Sequence, residues 1–300
     1  MNEITVFGQE KTLETVKLCK MNLSVHGITG DIKQGNTYYD DIHDSLNKFE
    51  FVMANPPFNV NGVNKEMIKT DKRYKYGIPS LNNANYLWIQ IFLNSLNTKG
   101  RTGFVMANIA TEAGQSELKI REKIIKSGYV DIIIAIGPNF FYNVTLSCTL
   151  WFFDKSKGDL RQDKTLFIDV RKIYHKIDRT HRIFLPKHIE FITNIVKLFR
   201  NEKPSFNNNS KDLTKKYFPN DKYRDNPGLC KVTTTEDIIN QGFSLNPGRY
   251  VGFEKREIEE IDFYEELEKS FNNLKDLNKE SRLIEKLIED SLETFFNPKE

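Results

Sequence analysis

Phe51-Val52-Met53-Ala54 runs directly into Asn55-Pro56-Pro57-Phe58, and this junction constrains the fold more than any other stretch of the chain. An apolar run rich in aromatic and β-branched residues reads as a buried strand. Pro56 and Pro57 carry no amide proton and fix φ, and each restricts the residue before it, so neither a strand nor a helix continues past Asn55. Asn55 is therefore expected at the carboxyl edge of a strand, where open α/β sheets place their ligands. A carboxamide, the Pro56 carbonyl and the Phe58 ring together suit a planar ligand that carries an amino group. The two oxygens accept from that amino group while the ring covers the ligand face. The plainer reading is a strand followed by a Pro-rich turn.

Around this junction the first half of the chain alternates strand and helix patterns. Strands are expected at Ile4 to Phe7, at Asp31 to Asn36 ending in a turn, at Thr102 to Ala107, Val130 to Ile136, Leu146 to Phe153 and Leu166 to Val170. Helices are expected from Glu10 to about Leu23, with Leu13, Val16, Leu18 and Met21 available for an apolar side. Others are expected from Asn85 to Leu96, from Gln115 to Ser127, and around Lys187 to Phe199. Between Asn59 and Leu81 lies a long loop rich in Lys, Asn and Gly. Strands separated by helical stretches predict an α/β fold with a mostly parallel, doubly wound sheet.

The composition then changes. Asn, Lys, Asp and Pro recur with little periodicity between Lys203 and Gly228, which predicts a linker over 201–229 between a body at 1–200 and a C-terminal segment at 230–300. From Glu254 to about Phe295 there is strong helix composition with no interior Pro or Gly. Leu267, Phe271 and Leu274 are spaced by four and three, and Ile284, Ile288 and Phe295 resume such spacing after a break near Leu277. One apolar stripe on a charged helix either seeks a partner or packs back on its own body.

The net charge of +3 conceals an asymmetry. Residues 254–300 hold 8 Lys and Arg against 15 Asp and Glu, so the remainder holds 36 basic against 26 acidic residues. A basic body suits a polyanionic partner, although solvated surfaces of this charge are also common. The three cysteines, Cys19, Cys148 and Cys230, are far apart and lack metal-ligand spacing, so they read as reduced residues. His175, His181 and His188 are too widely spaced for a helical metal pair, and no metal site is expected. No apolar run approaches a membrane span and no secretory signal opens the chain, which predicts a cytoplasmic protein without membrane contact.

Asn55-Pro56-Pro57-Phe58 after a strand resembles the catalytic motif of S-adenosylmethionine-dependent amino methyltransferases. Further segments narrow the resemblance: Asn83-Ala84-Asn85-Tyr86-Leu87-Trp88-Ile89, then Gly137-Pro138-Asn139-Phe140-Phe141-Tyr142-Asn143 leading to Leu150-Trp151-Phe152-Phe153. Leu166-Phe167-Ile168-Asp169-Val170-Arg171-Lys172 and Ser244-Leu245-Asn246-Pro247-Gly248-Arg249-Tyr250-Val251 continue it. Together, from about Phe7 to the C-terminal helix, the chain resembles the adenine-specific DNA-methylating (M) subunit of type I restriction–modification systems.

That resemblance implies a Rossmann-like methyltransferase sheet followed by a C-terminal helical extension, with S-adenosylmethionine as methyl donor. It implies that Asn55, Pro56, Pro57 and Phe58 hold a flipped adenine. It assigns Glu10, at the end of the second strand, to the ribose hydroxyls; a Glu there also suits a helix N-terminus. It assigns Asn36 of Gly35-Asn36-Thr37, where the family usually has Asp, to the cofactor's adenine amino group. None of the 16 glycines lies two residues from another, so the Gly-rich cofactor turn of such enzymes is not found here. The resemblance places that turn, its strand and an N-terminal helical domain before Met1, as in a truncated or split subunit. The implied partners are double-stranded DNA, a specificity subunit, a second methylating subunit and a restriction subunit, with the C-terminal helix docking on the specificity subunit. An rRNA or protein-glutamine methyltransferase, and an inactive fragment that keeps only an interaction surface, stay open as alternatives.

Overall fold

The computed structural model describes residues 4–80, 82–141, 145–253 and 263–296. Leu81, Tyr142, Asn143 and Glu254 lie outside the described residues, as does the side chain of Phe295. The chain separates into two compact units, Met1–Glu254 and Lys255–Glu300.

Six strands form the central sheet of the first unit: β3 (Phe49–Ala54), β4 (Leu96–Ala107), β5 (Val130–Ile136), β6 (Cys148–Asp154), β7 (Lys164–Asp169) and β10 (Cys230–Thr234). Their order is β10-β7-β5-β6-β4-β3. β3 runs parallel to β4 and β5 parallel to β7, while β6 lies antiparallel between β4 and β5 and β10 closes the far edge antiparallel to β7. The four parallel strands therefore point the same way, and the loops after them share one edge. β5 is buried at every residue, consistent with its unbroken Val-Asp-Ile-Ile-Ile-Ala-Ile composition and with helices covering both faces.

Two helices flank one core. α3 (Asn85–Ser95) is buried almost all round, with Tyr86, Leu87, Ile89 and Leu93 packed among Phe104, Met106 and Trp151 of the sheet. α4 (Gln115–Lys126) adds Ile120, Ile124 and Ile125 to the same core. A second core on the opposite side joins Ile132, Ile134, Leu166 and Ile168 to Phe191, Ile195 and Leu198 of α5 (Pro186–Phe199). α7 (Thr235–Asn240) follows β10 and is opened by a reciprocal cap between Thr234 and Asp237.

Four expectations are corrected by this packing. First, the strand that carries the Pro-rich junction is not buried: β3 is the last strand of its sheet, with Phe51 74% and Met53 88% exposed. Second, β1 (Val6–Glu10) and β2 (Gly30–Gln34) pair parallel with each other as a separate two-stranded sheet and do not extend the six-stranded one. Third, α1 (Leu13–Val25) buries Val16, whereas Leu13, Leu18 and Met21 stay exposed, because a two-stranded sheet offers little surface to cover.

Fourth, residues 203–228 are not an irregular linker. They carry α6 (Lys211–Tyr217) and bury Ser210, Thr214 and Phe218. The polar residues there serve as bond partners: the buried Glu190 carboxylate accepts from the amides of Asn207, Asn208 and Ser210, and Asn194 Nδ2 donates to the Ser205 carbonyl at 2.7 Å. The boundary between units falls after Glu254 instead.

The second unit holds one long helix, α8 (Phe263–Phe296). Leu267, Phe271, Leu274, Ile284 and Ile288 are each at least half exposed along it. Among the described residues no helix is long and apolar enough to cross a membrane.

Candidate functional site

Asn55 follows the last residue of β3 and stands exposed. Its carboxamide makes no hydrogen bond to a described residue, and neither does the Pro56 carbonyl, so both oxygens are available to a ligand. Pro56 is buried and anchors the turn; Pro57 is exposed; Phe58 is partly buried and meets Phe141 edge-on, with ring centroids 6.4 Å apart. The turn ends at Asn59, whose φ of 55° lies in the left-handed region that asparagine tolerates better than most residues.

The conformation of this turn is held by the start of α3. Asn85 is buried and reciprocates two bonds with Asn59: the Asn59 amide donates to Asn85 Oδ1 and Asn85 Nδ2 donates to Asn59 Oδ1, both at 2.9 Å. Asn83 Nδ2 adds a bond to Asn59 Oδ1 at 3.1 Å, and the Ala84 amide donates to the Val60 carbonyl. These contacts give Asn83-Ala84-Asn85 a physical role. The motif pins the segment that follows Asn55-Pro56-Pro57-Phe58, which no pattern within the tetrapeptide could disclose.

Glu10 ends β1, two residues before the Thr12 cap of α1, so it belongs to the strand and not to the helix N-terminus. Its carboxylate has no partner among the described residues. The Gly35 amide donates to the Glu10 carbonyl at 2.9 Å, which brings the turn carrying Asn36 beside Glu10. Asn36 Oδ1 is engaged locally, accepting from the Tyr38 amide at 3.2 Å. The loop after β2 also touches the loop after β3, through the Asn64 amide donating to Tyr39 Oη at 2.9 Å and through Tyr38 packing on Trp88 of α3. The carboxyl ends of β2 and β3 thus open toward the same side, with Glu10 and Asn36 on one strand pair and Asn55 to Phe58 on the other.

One residue of this edge, Glu112, carries no signal in the sequence. Glu112, in the loop after β4, accepts from Ser244 Oγ at 3.1 Å, from Asn246 Nδ2 at 3.0 Å and from Arg249 Nε. Burial works to raise its pKa, but these three donors outweigh it and hold the carboxyl below its usual range. The Leu245 amide donates to the Thr111 carbonyl and Tyr250 stacks on Phe167 at 4.1 Å. Ser244 to Tyr250 is thereby a clamp across the carboxyl edge. Glu112 carried no local signal because its partners lie more than 130 residues away in sequence.

Fold and edge define an α/β protein with an unengaged carboxamide and carbonyl pair beside an aromatic ring at the end of a strand. The family model described as N-6 DNA Methylase matches residues 1–260, and the chain belongs to that family. A type I restriction enzyme MjaIX methylase subunit from Methanocaldococcus jannaschii is 34% identical over 98% of this chain and 50% of its own length. The HindI methylase subunit from Haemophilus influenzae is 30% identical over 97% of this chain and 62% of its own length. The chain thus spans about half to three-fifths of these relatives. A type I restriction-modification methyltransferase subunit from Streptococcus thermophilus shares the fold, with a TM-score of 0.68 at 22% identity over 82% of this chain and 48% of that one.

Proposed function

We propose that this chain is the catalytic part of a DNA adenine methyltransferase subunit of a type I restriction–modification system. The observation that carries the reading is the free Asn55 carboxamide and Pro56 carbonyl at the end of β3, beside a partly buried Phe58. Family membership and two relatives that are type I methylase subunits support it.

An adenine amino nitrogen is paired and stacked inside a duplex, so the base must be flipped out, at a cost of a few kcal/mol. Asn55 Oδ1 and the Pro56 carbonyl then accept one amino hydrogen each. That pairing fixes the rotation of the amino group and turns the nitrogen lone pair out of the ring plane, toward the methyl donor. Phe58 covers the face of the extruded base, with Phe141 supporting it edge-on. Pro56 and Pro57 leave the backbone little freedom, so the acceptors are held before the base arrives. Positioning and electrostatic alignment carry the rate enhancement in this reading, without a general base of tuned pKa.

S-adenosylmethionine fits the residues present: Glu10 offers an unpartnered carboxylate for two adjacent hydroxyls, and Asn36 lies beside it. When bound, that cofactor supplies an electrophilic methyl group on a sulfonium centre. The Asn36 oxygen retains a second lone pair beyond the one used by Tyr38, and so can accept from an adenine amino group. A specificity subunit, a second methylating subunit and a restriction subunit complete the assembly.

The test is Asn55→Ala in the assembled enzyme that contains this chain. Radiolabelled methyl transfer to duplex DNA is expected to fall by at least 100-fold, while co-purification of the subunits stays intact. Undiminished transfer removes Asn55 from the catalytic role and the reading with it.

A further inference from the structure

The segment 171–187 contains six Lys and Arg residues and a single carboxylate, Asp178. It leaves the carboxyl end of β7, turns through the hairpin of β8 (His175–Lys176) and β9 (Arg182–Ile183), and enters α5. Asp178 does not neutralise it. Asp178 Oδ1 accepts from the amides of Thr180 and His181 at 2.7 and 2.8 Å, and Oδ2 is 2.7 Å from His181 Nδ1, so this carboxylate is spent on closing the turn. Arg171 is held by both oxygens of Asp169, and Arg182 lies over the Tyr174 ring at 4.2 Å. Lys172, Lys176, Arg179 and Lys187 remain exposed and form no ion pair with a described residue.

The hairpin is fixed beside the candidate site. The Arg182 amide donates to the Asn139 carbonyl at 2.9 Å, and Phe184 packs on Phe140 with ring centroids 4.5 Å apart. The next residue, Phe141, is the one that meets Phe58. One loop, Asn139 to Phe141, thus separates a rigidly anchored basic hairpin from the ring proposed to cover the flipped base. A base held at Phe58 keeps its sugar and phosphates outside the pocket, and duplex DNA carries about one charge per 1.7 Å of its axis. Four unpaired cations on the same edge are placed to meet that backbone.

We propose that the β8–β9 hairpin is a DNA-backbone contact, with Lys172, Lys176, Arg179 and Lys187 binding phosphates that flank the target base. This inference rests on the methyltransferase reading above. Such contacts set register and orientation and carry no sequence information, which suits an enzyme whose target sequence is chosen elsewhere.

The experiment uses the 300-residue chain and a fluorescein-labelled duplex, with affinity measured by anisotropy across a salt series. The wild type is compared with the quadruple variant Lys172→Ala, Lys176→Ala, Arg179→Ala, Lys187→Ala. A control carries alanine at four exposed lysines of another region, Lys203, Lys211, Lys216 and Lys222. Circular dichroism of each variant verifies folding, and because the four hairpin side chains are exposed and unpaired their loss leaves the fold intact. In the hairpin variant the slope of log affinity against log salt is expected to fall by about 3.6, at about 0.9 for each phosphate that is no longer neutralised. The control is expected to keep most of the wild-type slope.

An unchanged slope in the hairpin variant, an equal drop in the control, or no duplex binding by the wild type overturns the hairpin inference. None of these results touches the Asn55 assay, which decides the methyltransferase reading separately.

Discussion

At the scale of single residues, the shape of the candidate site depends on the buried Asn85 behind it. Asn85 holds Asn59 by two reciprocal bonds, and Asn59 sits at a positive φ immediately after the Asn55-Pro56-Pro57-Phe58 turn. Asn85→Ala would remove both bonds to Asn59, at a net cost of about 0.5–1.5 kcal/mol for each bond lost. The melting temperature by calorimetry is expected to fall by several degrees, at roughly 2–4 °C per kcal/mol for a chain of this size. An unchanged melting temperature would mean that water replaces both bonds and that the clamp is dispensable.

A second residue-scale prediction concerns pH. Lys157 Nζ donates to the Val130 and Lys164 carbonyls at 2.8 and 2.6 Å. Burial pulls its pKa down to about 8, against the opposing pull of Asp131. An unfolded lysine keeps its proton to about 10.4, so between these values the unfolded chain binds more protons than the folded one. Stability therefore rises as pH increases from about 8 to about 10, because the folded state sheds a charge it holds poorly. Lys157→Met should make that rise shallower by on the order of 1–2 kcal/mol. Denaturant titrations at pH 8 and pH 10 check it; a variant with the wild-type pH dependence contradicts the assignment.

Among elements, α8 carries an apolar stripe that no described residue of its own unit covers. Leu267, Phe271 and Leu274 share one face of a helix that is otherwise strongly charged. Deleting residues 254–300 is expected to abolish co-purification with the specificity subunit while the melting temperature of the first unit stays within about 2 °C. Retained association, or collapse of the first unit, would show that the stripe is covered in cis. The same scale explains why residues 203–228 misread as a linker. Glu190 and Asn194 convert their Asn and Ser residues into bonded anchors, and composition cannot distinguish a solvated polar run from a satisfied one.

For the whole molecule, Glu10 ends a strand of a two-stranded sheet, and Asn36 lies in the turn after that sheet's other strand; this sheet is separate from the six-stranded one whose edge strand precedes Asn55. No Gly-x-Gly turn is present to let backbone approach a cofactor closely. The chain alone is therefore expected to bind S-adenosylmethionine with a dissociation constant above about 100 μM in calorimetry. Micromolar affinity would show that Glu10, Asn36 and their neighbours suffice without such a turn.

The sequence by itself determined most strands and helices of the first 200 residues and the end of β3. Val130 to Ile136 was legible because six of its seven residues are apolar, as a strand buried on both faces requires. The helix expected from Gln115 to Ser127 is found at Gln115–Lys126, before the stop signal at Gly128. Pro56 and Pro57 stop a strand whatever surrounds them, since their restriction is covalent. Tertiary structure alone decided that β3 is an edge, that α1 leaves most of its apolar residues in water, and that Glu112 meets Ser244 to Arg249. It also decided that the basic hairpin packs on the loop whose Phe141 meets Phe58. Local propensity arises from covalent geometry and near neighbours, whereas burial and charge placement depend on which distant strand lies alongside, and no local pattern encodes that choice.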